Sequence, residues 1–386
     1  MFAPLLGLVL SALQPAHAQV GRQYYIDDDT IVLESSSCAT VERAFKVASS
    51  RRGTGKISVP PCSCVENVCQ RKIPASWVEG EQKIHVRYKE DGSTRLIGSN
   101  CSELNIYRQN LSKWSEKISS SPSCECTKRH CALSVTDVLP DLVRKYQGIW
   151  PAEGNCFNMS LILNGYTECS RQIDGVELDD FLKPPLCELR RAPPKIGDIV
   201  VVRRRAQYKS ETGNGRSNNT HSHSFIYLGA KLGFEKPAMW WEQGPPAFID
   251  PAETLKQYSV DRRDQYVVDP DRTDRGNPDD RVAAAYKCRD LNKWILESDD
   301  QKLKSSYRQV VEFECQAKPM SGVTDRNLIQ SMTQVLDMIA EAGEHELRQM
   351  SAEEQIGEKA FLWKTTLARL SIVRTRVQLM PYSAPQ

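Results

Sequence analysis

The sequence has 386 residues, of which 40% are hydrophobic and 26% are charged, a composition typical of folded proteins with two or three domains. Lys and Arg number 51 against 49 Asp and Glu, and the resulting formal charge of +2 does not favour a nucleic-acid-binding protein, which is normally far more basic. After the first residues, no apolar stretch approaches the ~20 positions of a membrane-spanning helix, so we expect no integral membrane span.

The N-terminal segment has the features of a secretory signal peptide. Residues 5–13 form an apolar core, and Ala-His-Ala at 16–18 fits the small-x-small rule for cleavage. We therefore predict a signal peptide at residues 1–18 and a mature chain that starts at Gln19. Because no Lys or Arg precedes the apolar core, a buried N-terminal helix or a retained anchor is the alternative. The abundance of cysteine favours export, so we expect a secreted or periplasmic protein.

The cysteines of the N-terminal region follow a duplicated pattern. Four are spaced by 24, 2 and 5 residues, and four more, about 62 residues later, by 23, 2 and 5. This repetition predicts two tandem units within residues 19–133, each held by two disulfides, since C-x-C-x4-C lacks the knuckle spacing usual for zinc. The sequence leaves two roles for these units, a module that binds cell wall or glycan and a structural spacer. The eight cysteines are Cys38, Cys62, Cys64, Cys69, Cys101, Cys124, Cys126 and Cys131.

The central region, residues 134–290, places a cysteine at a predicted helix start. Gly-Asn at 154–155 is a turn signal, and Cys156 follows it directly. The helix dipole and the free backbone N–H groups at such a position favour a thiolate and can hold a developing oxyanion. The apolar stripe that predicts this helix is formed by Phe157, Leu161 and Ile162.

The chain contains thirteen cysteines, so in an exported protein one is left unpaired. We expect that one to be Cys156, with Cys169 paired to Cys187 and Cys288 paired to Cys315. Counting alone does not decide between this free, reactive thiol and the alternative, in which Cys156 is another disulfide partner or an inert buried thiol.

Two predicted strands and a hairpin follow the cysteine. Two prolines, Gly-Asp and a β-branched run at 193–205 indicate a turn and then a strand, whose terminal Arg203-Arg204-Arg205 is either solvated or a contact for an anionic substrate. His223 lies on the next strand, and after a turn near Gly229 the return strand brings Glu235 opposite it. A helix-terminal Cys, a strand His and a polar neighbour form an activated thiol, in which the His takes the thiol proton.

Residues 155–236 resemble the papain-like bacterial cell-wall peptidases of the NlpC type. The resemblance rests on the order of Cys and His, on G-D-I-V-V at 197–201, and on H-x-x-I-Y-L-G with a polar residue twelve positions after the His. It implies an α+β, papain-like domain in which a Cys-bearing helix packs on a small antiparallel sheet. Cys156 would be the nucleophile, His223 the base and Glu235 the residue that orients the His.

The resemblance further implies an exported cysteine hydrolase without a cofactor. Its substrate would be a protein or, above all, the peptide of bacterial peptidoglycan, cleaved at an amide bond through an acyl-enzyme. Related papain-like folds also include amidases and acyltransferases. A thiol acyltransferase and a non-catalytic binding or structural protein on the same fold are therefore the alternatives.

Several polar and aromatic residues are secondary candidates for the site. Glu242 or Gln243 is the fallback for the third catalytic position, and Asn155 or Gln147 is a candidate oxyanion donor. The aromatic pair at 240–241, Trp240 and Trp241, lines either a substrate groove or the core.

Two further features of the central region concern metal binding and access. His221 and His223 would share a face of a regular strand, but no third ligand is spaced to complete a metal site, so we expect no metal. The polar segment 209–220 is predicted to be a flexible loop or lid, and the charged stretch 260–281 a surface loop.

The last region, residues 291–386, is predicted to be a helical extension. From Thr324 onward apolar residues recur at three- and four-residue steps, which predicts a first helix. Ser351 and Glu354 form a capping-box pattern that would open a second helix. The expected hairpin covers the central domain or, alternatively, binds a partner. The buried stripes would be Leu328, Met332, Val335, Leu336 and Ile339, and then Ile356, Ala360, Trp363, Leu367 and Leu370.

Overall fold

A computed structural model gives the fold of most of the chain. The candidate residues Trp240, Trp241, Glu242 and Gln243 lie outside the described residues, as do the predicted signal peptide and the segment 209–220. Among the helices that the structure describes, none combines the length and apolar character that crossing a membrane requires. The described residues are 21–50, 59–79, 82–117, 123–150, 154–167, 169–204, 221–237, 244–267, 280–288, 295–316 and 326–378.

The chain is a mixed α+β protein with small antiparallel sheets, as predicted at this level. The strands are β1 (Gly21–Tyr25), β2 (Thr30–Ser35), β3 (Ser63–Val65), β4 (Val68–Pro74), β5 (His85–Tyr88), β6 (Thr94–Gly98), β7 (Glu125–Cys126), β8 (Cys131–Ser134), β9 (Ile149–Trp150), β10 (Cys187–Leu189), β11 (Ile199–Arg204), β12 (His221–Tyr227), β13 (Gly233–Glu235), β14 (Ala247–Ile249) and β15 (Arg281–Cys288). The helices are α1 (Cys38–Ser50), α2 (Ser76–Glu79), α3 (Cys101–Ser115), α4 (Asp141–Tyr146), α5 (Cys156–Leu163), α6 (Gly175–Phe181), α7 (Pro251–Gln257), α8 (Gln301–Gln316), α9 (Arg326–Gln349) and α10 (Glu358–Gln378).

The duplicated cysteine spacing corresponds to a duplicated topology. The first sheet has the order β3-β4-β2-β1-β9 and the second has the order β7-β8-β6-β5. In each unit a helix begins at the first cysteine, and a short hairpin follows the helix. The second strand of the hairpin pairs with the strand that precedes the helix, β4 with β2 and β8 with β6. One disulfide ties the helix start to the chain before the hairpin, and the other closes the hairpin. These bonds are Cys38–Cys62 and Cys64–Cys69 in the first unit, and Cys101–Cys124 and Cys126–Cys131 in the second.

The central sheet carries the candidate site, and its strand order is β10-β15-β11-β12-β13-β14. Helix α5 packs on this sheet because every one of its residues is buried and most are apolar. A polar connection fixes the register of helix and strand: the hydroxyl of Ser224 on β12 donates to the carbonyl of Cys156 at 3.1 Å. Ser160 Oγ, one turn along α5, lies 2.9 Å from Ser224 Oγ.

The second N-terminal unit contacts the hairpin formed by β12 and β13. Asn110 Nδ2 on α3 donates to the carbonyl of Leu228 at 2.8 Å, and the backbone N–H of Lys231 donates to the Tyr107 hydroxyl at 3.0 Å. Gly229 lies between these contacts with φ +140°, and a Cβ there would be 2.8 Å from the Tyr107 ring. The hairpin turn is therefore built directly against the repeat unit.

The two predicted disulfide pairings of the central region are wrong. The structure pairs Cys187 with Cys288 and Cys169 with Cys315. Strand β10 lies antiparallel to β15 with Cys187 directly opposite Cys288, which is the reason for the first pairing. The second joins the segment after α5 to helix α8, across 146 residues of sequence.

The C-terminal extension contains three long helices among the described residues, of which α8 was not predicted. Ser351 and Glu354 do form reciprocal capping bonds, of 2.8 and 3.2 Å, but these open a short 3-10 turn. Helix α10 begins only at Glu358, because the backbone of Gly357 is extended. Ile356, expected in the buried stripe, is consequently 89% exposed.

A buried network of charges joins the extension to the segment after α5. Glu314 on α8 is completely buried, and its two carboxylate oxygens lie 2.8 Å from Arg171 and 2.6 Å from Arg369. Arg171 also pairs with Glu177 on α6. Burial opposes the charge of Glu314, but Arg369 and Arg171 hold the pKa of that carboxyl below its usual value. The extension is thus electrostatically coupled to the region around α5.

Candidate active site

Cys156 is the first residue of α5 and, of the thirteen cysteines, the one without a disulfide. Its side chain is buried, with the residue 3% exposed. Asn155 caps the helix, since its Oδ1 accepts the N–H of Asn158 at 3.1 Å and its Nδ2 donates to the Ile173 carbonyl at 2.5 Å. The thiol therefore lies at the positive end of the helix, within a rigid local structure.

His223 and Glu235 form a buried pair on neighbouring strands. His223 Nε2 lies 2.7 Å from Glu235 Oε2, and the ring is completely buried. The sequence prediction placed the two residues directly opposite each other. The register pairs Ile226 with Phe234, so the contact between His223 and Glu235 instead runs along a diagonal of the two strands. Thr254 Oγ1 on α7 donates to the same carboxylate oxygen at 3.5 Å.

Tyr258, which the sequence analysis missed, covers the face of the imidazole. Its ring stacks on that of His223 with 4.5 Å between centroids and 10° between planes. Burial, the Cys156 thiolate and the Glu235 carboxylate together raise the pKa of the Tyr258 hydroxyl. No local pattern marks this residue, because it reaches the site from the end of α7. The stacking holds the ring plane and screens the pair from water.

The charges around His223 favour its protonated form. Burial by itself would lower the pKa of His223, but Glu235 and the Cys156 thiolate raise it to about 10. A side-chain hydrogen bond between Cys156 and the imidazole also contributes to the raised pKa of His223. Since Nε2 is held by Glu235, Nδ1 is the nitrogen left for the electrostatic interaction with the thiol.

Lys236 is a second functional candidate that sequence reasoning missed. Its side chain is completely buried, and its Nζ donates to the carbonyl of Gly154, two residues before Cys156. Burial lowers the pKa of this amine to about 8, while the Cys156 thiolate acts in the opposite direction. A lysine that follows a short strand is ordinarily solvated, so no pattern in the sequence marks it as part of a site.

The two histidines of β12 have different surroundings. Strand β11 pairs Val202 with His223 but Arg203 with His221, and the β-bulge between these pairs breaks the regular alternation. The His221 ring contacts the Phe157 ring edge-on at 6.2 Å, and its Nε2 lies 3.1 Å from Asp179 Oδ1. The expectation that both rings share one face is therefore wrong.

Other predicted site residues have contacts elsewhere. Gln147 Nε2 donates to Thr94 Oγ1 at 3.1 Å, on the second repeat unit. Arg203 is only 2% exposed, so it is not a solvated strand end, whereas Arg204 is exposed. Arg205 lies outside the described residues.

The structure thus brings a free thiol, an imidazole and a carboxylate into one buried cluster at a helix N-terminus. No protein-family model, curated protein or solved structure matches this chain. The residues themselves can supply a nucleophile, a proton carrier and an orienting anion, together with the backbone N–H groups of the first turn of α5.

Proposed function

We propose that the protein is a cysteine hydrolase, with a papain-like central domain, that cleaves an amide or peptide bond through an acyl-enzyme. One observation carries this proposal: the unpaired Cys156 begins α5 beside His223, whose opposite nitrogen is held by Glu235 at 2.7 Å. A structural cysteine needs no such partners, whereas an activated thiol needs each of them.

In the proposed reaction the proton of Cys156 passes to Nδ1 of His223, and the sulfur attacks the carbonyl carbon of the substrate. The backbone N–H groups at the start of α5 donate to the oxyanion that develops. The protonated His223 then gives its proton to the leaving amine, and an acyl-thioester remains on Cys156. Water, deprotonated by His223, hydrolyses this thioester and restores the free thiol.

Glu235 has two roles in this scheme. Its hydrogen bond to Nε2 fixes the ring orientation, and its charge stabilises the imidazolium that forms when Cys156 loses its proton. Against the effect of burial, Glu235 and Cys156 raise the pKa of His223 to about 10, which favours a thiolate–imidazolium pair at neutral pH. In such a pair the proton has already passed from Cys156 to His223 when the sulfur attacks the substrate.

The substrate class follows from the NlpC-type resemblance, and we propose the peptide of bacterial peptidoglycan. The six disulfides among the described residues support export, because disulfides form and persist in oxidising compartments. A secreted or periplasmic enzyme would meet this substrate directly.

The proposal is tested by alkylating the native, unreduced protein with iodoacetamide from about pH 5 to pH 8, followed by peptide mapping. We expect fast labelling confined to Cys156 that persists well below the pH at which an ordinary thiol reacts. The rate should fall in His223→Ala and remain unchanged in His130→Ala, a matched change at a histidine of the second repeat unit. Labelling no faster than that of a free thiol would overturn the enzyme and favour a binding protein.

The type of reaction, hydrolysis or acyl transfer, is tested with purified peptidoglycan fragments and a small amine that competes with water for the acyl group. Release of new amino groups by the wild type, but not by Cys156→Ala, identifies a hydrolase. Transfer of the acyl group to the added amine in preference to water would instead identify an acyltransferase that uses the same three residues.

A further inference from the structure

Lys236 is an unusual residue for a protein interior. It is completely buried, yet the described structure gives its ammonium no carboxylate partner, and its hydrogen bond goes to the neutral carbonyl of Gly154. Lysine is almost never fully buried unless it is paired, because burying an unpaired charge is costly. Cys156, when its thiol is ionised, is the anion that interacts with Lys236 electrostatically.

The position of Lys236 follows from the same short strand that supplies Glu235. Glu235 is the last residue of β13, and Lys236 follows it directly in the chain. Glu235 reaches His223, whereas Lys236 reaches the turn that leads into α5. The residues at the end of β13 thus contact both the imidazole beside Cys156 and the turn that precedes it.

The carbonyl that Lys236 binds belongs to a turn with little freedom. The N–H of Gly154 donates to Ser170 Oγ at 2.8 Å, and a Cβ at Gly154 would clash with Asn158 Oδ1. A fixed turn fixes the ammonium as well, so the positive charge is held near the thiol and is not free to move into water.

We propose that Lys236 is a second cation for the Cys156 thiolate, acting together with His223 to set the reactivity of the sulfur. This inference rests on the proposed function, since it concerns the same thiol. Four alternating charges then form one line of interactions: Glu235, His223, Cys156 and Lys236.

The groups that face the thiol and can titrate are His223, Tyr258 and Lys236, with Glu235 behind the histidine. Burial lowers the pKa of Lys236 to about 8, so its charge is present at neutral pH and declines above that value. The Lys236 contribution to reactivity is therefore greatest below about pH 8.

Two substitutions separate the charge of Lys236 from its hydrogen bond. Lys236→Met keeps the length of the side chain but removes both, whereas Lys236→Gln keeps an N–H donor for Gly154 and removes only the charge. Lys183→Met, at an exposed lysine paired with Asp180, is the matched control for the loss of one positive charge.

The experiment measures Cys156 alkylation by neutral iodoacetamide and by negatively charged iodoacetate, across the same pH range, in each full-length variant. We expect both Lys236 variants to react about tenfold more slowly near pH 7, with a larger loss for iodoacetate, because a nearby cation attracts the anionic reagent. The Lys183 control should match the wild type. Thermal unfolding of each variant shows whether it is folded.

Wild-type rates in the folded Lys236 variants, or full recovery in Lys236→Gln with an unchanged ratio of the two reagents, would overturn the proposal and leave Lys236 as an anchor for the turn. If both variants fail to fold, the wild-type ratio decides: iodoacetate must react faster relative to iodoacetamide at Cys156 than at a small thiol in solution. A wild-type thiol that is inert to both reagents would instead reject the proposed function itself.

Discussion

The imidazole of His223 and the carboxylate of Glu235 meet on a diagonal of β12 and β13, with 2.7 Å between Nε2 and Oε2. Both groups are buried, so their mutual attraction is not weakened by water. The contact leaves Nδ1 for Cys156, and this division of the two ring nitrogens determines the first prediction.

Replacing Glu235 with Gln should keep the shape of the contact but remove the charge that stabilises the imidazolium. We expect iodoacetamide to label Cys156 roughly tenfold more slowly near neutral pH, and turnover of a cleaved substrate to fall by roughly 10²-fold. Direct NMR titration should show the pKa of His223 moving down from about 10. Glu253→Gln, at an exposed carboxylate on α7, is the control. An unchanged His223 titration in Glu235→Gln would contradict the assignment.

Stability should depend on pH through His223. Its pKa is raised in the folded protein from an ordinary 6.5 to about 10, against the effect of burial, by Glu235 and Cys156. The ionised histidine therefore contributes stability that is fully present below pH 6.5 and is lost as the pH rises through about 10. We expect the difference in unfolding free energy between wild type and His223→Gln to shrink over that interval. Urea unfolding at a series of pH values measures it, and a constant difference would refute the prediction.

Neutralising Glu314 should destabilise the protein even though it lies on a different helix from the candidate site. Glu314→Gln leaves Arg171 and Arg369 in the interior without their shared anion, which typically costs about 3–5 kcal/mol of unfolding free energy. Equilibrium unfolding in urea gives the value. Glu341→Gln, an exposed change on α9, should stay within about 0.5 kcal/mol of wild type. A similarly small effect at Glu314 would mean that the buried network adds no stability.

The contact between α3 and the hairpin should stabilise the strands that carry His223 and Glu235. Asn110→Ala removes the donor to the Leu228 carbonyl, at a cost of about 1 kcal/mol, and should speed hydrogen exchange within β12 and β13. Ile106→Ala, an exposed change on the same helix, is the control. Unchanged exchange in Asn110→Ala would show that the repeat unit does not support the site.

The local features of this protein were predictable because each depends on neighbouring residues. The apolar stripe after Cys156, the β-branched run of β11 and the aromatic and aliphatic residues of β12 produce the expected helix and strands. The start of α10 was missed by several residues, because the capping box at Ser351 opens a short 3-10 turn instead of the helix. The extended backbone of Gly357 separates that turn from α10.

The order and spacing of residues predicted the duplicated cysteine units and pointed to Cys156, His223 and Glu235 as candidates, and the NlpC-type resemblance implied the α+β character. The bond between Cys169 and Cys315 was not predictable in this way, because spacing does not specify which distant thiols meet. Three-dimensional packing also stacks Tyr258 on His223 and buries Lys236 beside the turn before Cys156. These contacts depend on how helices and strands pack, and burial and charge then determine the chemistry of each group.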